Sequence, residues 1–221
     1  VQAAARLLVS AVLGSVPVHP TTPGDQVEPT AAFSNAGLVV AWVSRLPSRA
    51  EVMYAFSDTG DLGAFSSPLP ISAAAGNETI RPHAAAFGSR VAVTWADASK
   101  GDHDVYLAIS EDGGRSFASP VLAAGGPAGQ QDPRATVLED GTIVIAFHDS
   151  FGSTDEDDAV VWRVRTLRTR DGVTFSPALA TATPEADAYD LFASIAGLGT
   201  PASPIVVAWL REHPKSGGPN E

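Results

Sequence analysis

The chain contains no cysteine, which excludes disulfides, thiolate catalysis and cysteine-ligated zinc but by itself leaves the compartment open. It has only two lysines, Lys100 and Lys215, and a net charge of −11. A phosphate backbone or an anionic membrane surface needs clustered Lys and Arg, so neither is an expected partner. No apolar run approaches the roughly 18 residues of a membrane-spanning helix. Turn formers are abundant, with 20 glycines and 17 prolines among 221 residues, 44% of which are hydrophobic. Such a chain is apolar enough to fold around a core and is interrupted too often for long helices, so an all-β fold is expected.

The strongest pattern is an internal repeat near fifty residues. Phe65, Phe117 and Phe175 each close a short polar turn and lie 52 and 58 residues apart. Pro29, Pro82 and Pro133 keep the same period, at 53 and 51, as do Trp42, Trp95, Phe147 and Trp209, at 53, 52 and 62. Each unit holds four short runs rich in Val, Ile, Tyr and Phe, separated by Gly, Pro, Asn and Asp. The run ending in Trp is almost continuously apolar, as a central strand buried on both faces would be. Four-strand units of this period stack radially as the blades of a β-propeller. The repeats read as 16–67, 68–119, 120–176 and a shorter 177–221. Residues 1–15 read either as the end of a preceding blade or as a signal-peptide remnant.

The turn Ser110–Phe117, S-E-D-G-G-R-S-F, resembles the Asp-box of the sialidase superfamily (the BNR repeat), with Ser110, Asp112, Gly114, Ser116 and Phe117 on the S-x-D-x-G-x-T-W/F pattern. The first copy, ending at Phe65, carries one extra residue, and the third lacks one while keeping Asp171, Gly172, Thr174 and Phe175. The resemblance runs over about residues 16 to 211. It implies a sialidase-like propeller, incomplete in this chain, because six blades of this period need roughly 310 residues. It also implies that the boxes are structural, placed between the third and fourth strands on the rim away from the central pocket. Asp58 and Asp171 take the same structural reading as Asp112.

For chemistry, the resemblance implies a Tyr nucleophile activated by Glu, an Asp acid/base, and three arginines gripping a substrate carboxylate. Arg81 stands where the family has the arginine of R-I-P, but it touches Pro82 directly. One position out in an extended segment points a side chain to the opposite face. Arg134 follows Pro133 one repeat later. Asp102, in the loop S-K-G-D-H-D, is the candidate general acid, while Asp104 matches the aspartate opening the third strand of non-enzymatic repeats. Tyr189, before Asp190, is the candidate nucleophile. Arg163, Arg165, Arg168 and Arg170 are expected to face solvent.

No metal or cofactor is expected. The acidic loop Asp155–Asp158 lacks calcium-loop spacing, and the histidines His19, His83, His103, His148 and His213 show no paired ligand spacing. Two functional readings remain. One is a non-catalytic, exported domain binding glycan or protein on the propeller face. The other is an exo-α-sialidase or related glycoside hydrolase of which this chain is a part.

Overall fold

The computed structural model describes residues 18, 24–58, 64–72, 79–151, 161–181, 189–197 and 204–212. The readings placed on residues 1–15, on Asp155–Asp158 and on His19 and His213 lie outside them. The described residues form strands and turns. Three antiparallel four-stranded sheets follow one another: β1 (Asp25–Phe33), β2 (Gly37–Leu46), β3 (Arg49–Asp58) and β4 (Leu69–Pro70); β5 (Thr79–Phe87), β6 (Arg90–Asp97), β7 (Asp104–Ser110) and β8 (Val121–Ala124); and β9 (Gln130–Val137), β10 (Ile143–Phe151), β11 (Val161–Thr169) and β12 (Leu179–Ala180). A fourth sheet contributes β13 (Tyr189–Gly197) and β14 (Ile205–Glu212). The first strands lie side by side, β1 against β5, β5 against β9 and β9 against β13, as the inner strands of successive propeller blades do. Sheets and sequence repeats share a period but differ in phase: the runs opening the second, third and fourth repeats, Leu69–Pro70, Val121–Ala124 and Leu179–Ala180, are the outer strands of the preceding sheets.

The core lies in the seams between blades. Val39, Val52 and Tyr54 meet Val91, Val93 and Trp95 in the first seam, and Val105 and Leu107 meet Ile143, Ile145 and Phe147 in the second. The third seam is smaller, built on Ala146, Val164 and Ala193. The second strands of the middle blades, β6 and β10, each supply two seams, and Val91 through Asp97 is buried at every position. Continuous apolar character therefore belongs to this strand, where each large side chain removed from water contributes about 1.5–3 kcal/mol.

The Ser110–Phe117 turn ties neighbouring blades together. Within it, the Ser110 hydroxyl donates to Asp112 Oδ1 (2.7 Å) and accepts from the Gly114 N–H (2.8 Å), while Ser116 donates its N–H to Asp112 Oδ1 (2.9 Å) and its hydroxyl to Oδ2 (2.5 Å). Partial desolvation pushes the Asp112 carboxyl up, but the hydrogen bonds from Ser116 and Ser110 outweigh it and hold the pKa at about 2. Gly113 and Gly114 have φ of 80° and 98°, which only glycine adopts without strain. Across the seam, the Ser34 hydroxyl donates to Gly113 O (2.8 Å), Tyr54 Oη donates to Arg115 O (3.1 Å), and Phe117 packs edge-on against Tyr54 at 4.8 Å. Asp58 pairs with Arg115.

The third copy works with one residue fewer. Thr169 takes the place of Ser110, accepting from the Gly172 N–H (2.9 Å), and Asp171 Oδ1 accepts from the N–H groups of Val173 (2.9 Å) and Thr174 (2.7 Å). The Thr174 and Val173 N–H groups hold the Asp171 pKa at about 2.

Candidate functional site

Each inner strand carries one irregularity at the same place. The ladder shifts between Val27 and Thr30 in β1, between Ile80 and His83 in β5, between Leu191 and Ser194 in β13, and opposite Phe147 in β9. In the first three blades the extra residue precedes a proline, which has no N–H to give to the ladder and so suits a bulge. These residues are Glu28, Arg81 and Asp132, with φ of 55°, 55° and 52°. Among the described residues they are the only non-glycines in the left-handed region. Holding such conformations costs on the order of 1–3 kcal/mol each, and residues of this kind concentrate at functional sites.

The bulges aim the three side chains into one groove. Together with Pro29, Thr30, Pro82, His83 and Arg134 they line an open cavity of about 440 Å³ on the inner strands. The Glu28 carboxylate accepts from the Arg81 backbone N–H and pairs with Arg45 at 2.9 Å. The Arg81 guanidinium pairs with Asp132 Oδ2, and Arg134 Nη2 lies 3.8 Å from Asp132 Oδ1. Asp132 is only 5% exposed, yet two guanidinium groups face it. His148 Nδ1 stands 3.5 Å from the same Oδ2.

The histidines here are hydrogen-bond acceptors. In the second, third and fourth blades a side chain of the preceding blade receives an inner-strand N–H next to the bulge: Thr30 Oγ1 from Ala84 (3.0 Å), His83 Nδ1 from Ala135 (3.1 Å) and His148 Nε2 from Ala193 (3.3 Å). A ring nitrogen accepting an N–H cannot carry a proton. Burial, reinforced by Arg134, lowers the His83 pKa to about 4. Burial likewise lowers that of His148, against the pull of Asp132. Neutral His148 accepting at Nε2 therefore directs an Nδ1–H toward Asp132.

One polar cross-strand pair per blade supports the groove two residues before each bulge. Gln26 donates to Ser44 Oγ (3.1 Å), Thr79 to Asp97 (2.6 Å) and Gln130 to Asp149 (3.0 Å), while Arg211 donates twice to Asp190 (2.7 and 3.1 Å). Two of these residues also receive an indole N–H, Trp42 donating to Gln26 (2.6 Å) and Trp209 to Asp190 (3.1 Å).

The structure brings Arg81 and Arg134 together in the groove. The expectation that adjacency to Pro82 turns Arg81 to the opposite face assumed strict alternation, and the bulge removes that alternation. Asp102 is exposed in the turn between β6 and β7, and the carboxylate that meets Arg81 is Asp132 instead. Tyr189 opens β13, and its side chain is not among those described. Arg163 is 8% exposed, and Arg165 pairs with Asp149 at 2.9 Å, so neither faces solvent as expected; Arg168 does. Glu28 and Asp132 are groove residues that sequence reasoning missed, while His148, read from sequence as a strand end or a pocket rim, stands beside the groove. The signal for both was present as the dipeptides E-P and D-P in register with R-P.

Propeller glycoside hydrolases are among the solved structures similar to this chain. The solved structures similar to this chain include the Penicillium chrysogenum alpha-L-arabinanase complexed with arabinobiose (TM-score 0.57, 14% identity, covering 82% of this chain and 58% of the arabinanase). Hadza microbial sialidase Hz136 (TM-score 0.57, 13% identity, 86% and 47%) and a thermostable family-43 glycoside hydrolase (TM-score 0.53, 12% identity, 90% and 76%) are also similar. At these identities the likeness establishes the fold. The chain spans less than two-thirds of the arabinanase's length. No protein-family profile and no curated protein sequence matches the chain.

Proposed function

We propose that this chain is a sialidase-like Asp-box repeat domain, exported from the cell, that binds glycan in the axial groove without cleaving it. The observation that carries the reading is Asp132. A sialidase-type site needs unpaired guanidinium groups to grip a substrate carboxylate, and here a carboxylate of the chain itself faces Arg81 and Arg134. The groove thus offers paired donors and acceptors, the equipment for sugar hydroxyls. Strained residues held at three successive bulges support a binding role over a purely structural one.

The second reading is an exo-glycosidase, a sialidase or a relative. It is favoured by the named likenesses to arabinanase, sialidase and family-43 enzymes. Isothermal titration of neutral oligosaccharides, arabinobiose among them, alongside assay of fluorogenic sialoside and arabinofuranoside, separates the two. Saturable binding that is lost in Arg81→Met, with no hydrolysis above a buffer blank, supports the first reading. Hydrolysis abolished by Asp132→Asn or Asp102→Ala overturns it.

A further inference from the structure

The tryptophans that close the second strands occupy equivalent positions, and one of them is treated differently. Trp42 and Trp209 give their indole N–H to Gln26 and Asp190, each two residues before its bulge. In the second blade that position is Thr79, whose hydroxyl is directed to Asp97 and to Ala50 O. Thr79 is a shorter side chain with no atom to offer Trp95. Trp95 is 1% exposed, and among the described residues its N–H has no acceptor.

Trp95 forms a wall of a cleft of about 260 Å³ in the seam between the first two blades, lined also by Ser72, Asp97, Ser99, Lys100, Tyr106 and Pro120. Trp95 and Tyr106 stack there, with centroids 6.0 Å apart and planes within 16°. Lys100 Nζ stands 6.0 Å above the Tyr106 ring and has no carboxylate partner among the described residues. Asp97 also lines the cleft and keeps its charge, but its two oxygens accept from Thr79 (2.6 Å) and the Ser99 N–H (2.8 Å) and form no ion pair with Lys100 among the described residues. What remains open toward the cleft is an excess of donors, the Trp95 indole and the Lys100 ammonium, beside two stacked rings.

The geometry points to a second ligand site in this seam, separate from the axial groove, for a small ring-bearing carboxylate. The carboxylate accepts from Trp95 and Lys100, and the ring packs on the aromatic wall. A uronic acid and an aromatic acid share that chemistry, and the cleft's volume, at the small end for a ligand pocket, admits one ring. In a chain with net charge −11, a lysine without an acidic partner is the element that selects an anion over its neutral counterpart.

The test titrates the whole chain, labelled with ¹⁵N in its indoles, with galacturonate, benzoate and galactose, following heat by calorimetry and the Trp95 N–H by NMR. Either carboxylate is expected to bind saturably and shift the Trp95 resonance, while galactose does neither. Whichever carboxylate binds more tightly identifies the ring as sugar or aromatic. Lys100→Met, in an exposed turn, weakens binding about tenfold or more, as loss of a charged hydrogen bond does. Arg81→Met leaves it unchanged, which keeps this result independent of the axial groove. Trp95→Phe serves to assign the resonance, and calorimetry with Lys100→Met stands without it. The proposal is overturned if neither carboxylate binds, if galactose binds equally, if Lys100→Met binds as the parent does, or if Arg81→Met abolishes the effect.

Discussion

Replacing Asp112 by Ala removes the centre of the Ser110–Phe117 turn, and the cost can be worked from its contacts. The carboxylate loses the Ser116 N–H and the hydroxyls of Ser110 and Ser116, all charge-assisted bonds. Charged hydrogen bonds contribute about 1.5–3 kcal/mol when buried, but Asp112 is exposed and its lost partners regain water. A net loss of about 1–2 kcal/mol remains, close to that for removing a helix cap. At 2–4 °C per kcal/mol for a domain of this size, the melting temperature falls by about 5 °C.

The pH dependence fixes the cause. A carboxylate whose pKa is lowered to about 2 contributes stability above its ordinary value near 3.8, and that contribution disappears as pH falls toward 2. The difference in melting temperature between parent and variant, measured by calorimetry, should therefore be full at pH 6 and shrink steadily below pH 4. Glycan binding should be unchanged, since the box joins Ser34, Tyr54 and Ser110 at the end of the blades opposite the bulges. An Asp112→Ala protein that melts like the parent, or that loses binding while keeping its melting temperature, refutes the reasoning.

Three further outcomes are expected. Gly114→Ala would place a Cβ 2.0 Å from Val39 Cγ2, a fully buried atom of the preceding blade, at φ of +98°; the melting temperature should fall by about 10 °C, corresponding to roughly 3 kcal/mol or more. His83 is held neutral, so the unfolded chain takes up its proton first, and stability should decline as pH drops from 6.5 to about 4 by up to about 3 kcal/mol before solvent screening; His83→Gln, which keeps an acceptor, should flatten that part of the curve in urea titrations. Arg81→Met should weaken glycan binding in the axial groove at least tenfold by calorimetry, with a melting temperature within about 3 °C of the parent, because its ion pair with Asp132 is partly exposed.

Much of the fold was legible because it is periodic. Proline, tryptophan and closing phenylalanine recur in register, and the apolar run ending in Trp95 is buried at every position from Val91 onward, as a two-sided central strand must be. The boxes were legible as turns, but not as clamps between blades: Ser34 and Gly113 are 79 residues apart, and nothing local to either announces the contact. Thr169 escaped notice because it substitutes for serine in a shortened copy. The groove was half legible. Arg81 and Arg134 stood out as charged residues beside repeated prolines, while Glu28 and Asp132, in the same register, did not. Their convergence depends on a left-handed residue before proline, a conformation that alternation arguments do not anticipate. Asp102 drew attention by its position in a loop and its resemblance to a family acid, whereas burial beside two guanidinium groups singles out Asp132.

In the proposed function the axial groove binds sugar through charges already paired within the chain. The most direct measurement is a single calorimetric titration of arabinobiose into the parent protein and into Asp132→Asn, with the cell contents analysed afterwards for released arabinose. Saturable binding by the parent, at least tenfold weaker binding by the variant and no arabinose in either are the expected outcome. Release of arabinose by the parent, or equal binding by both proteins, would contradict it.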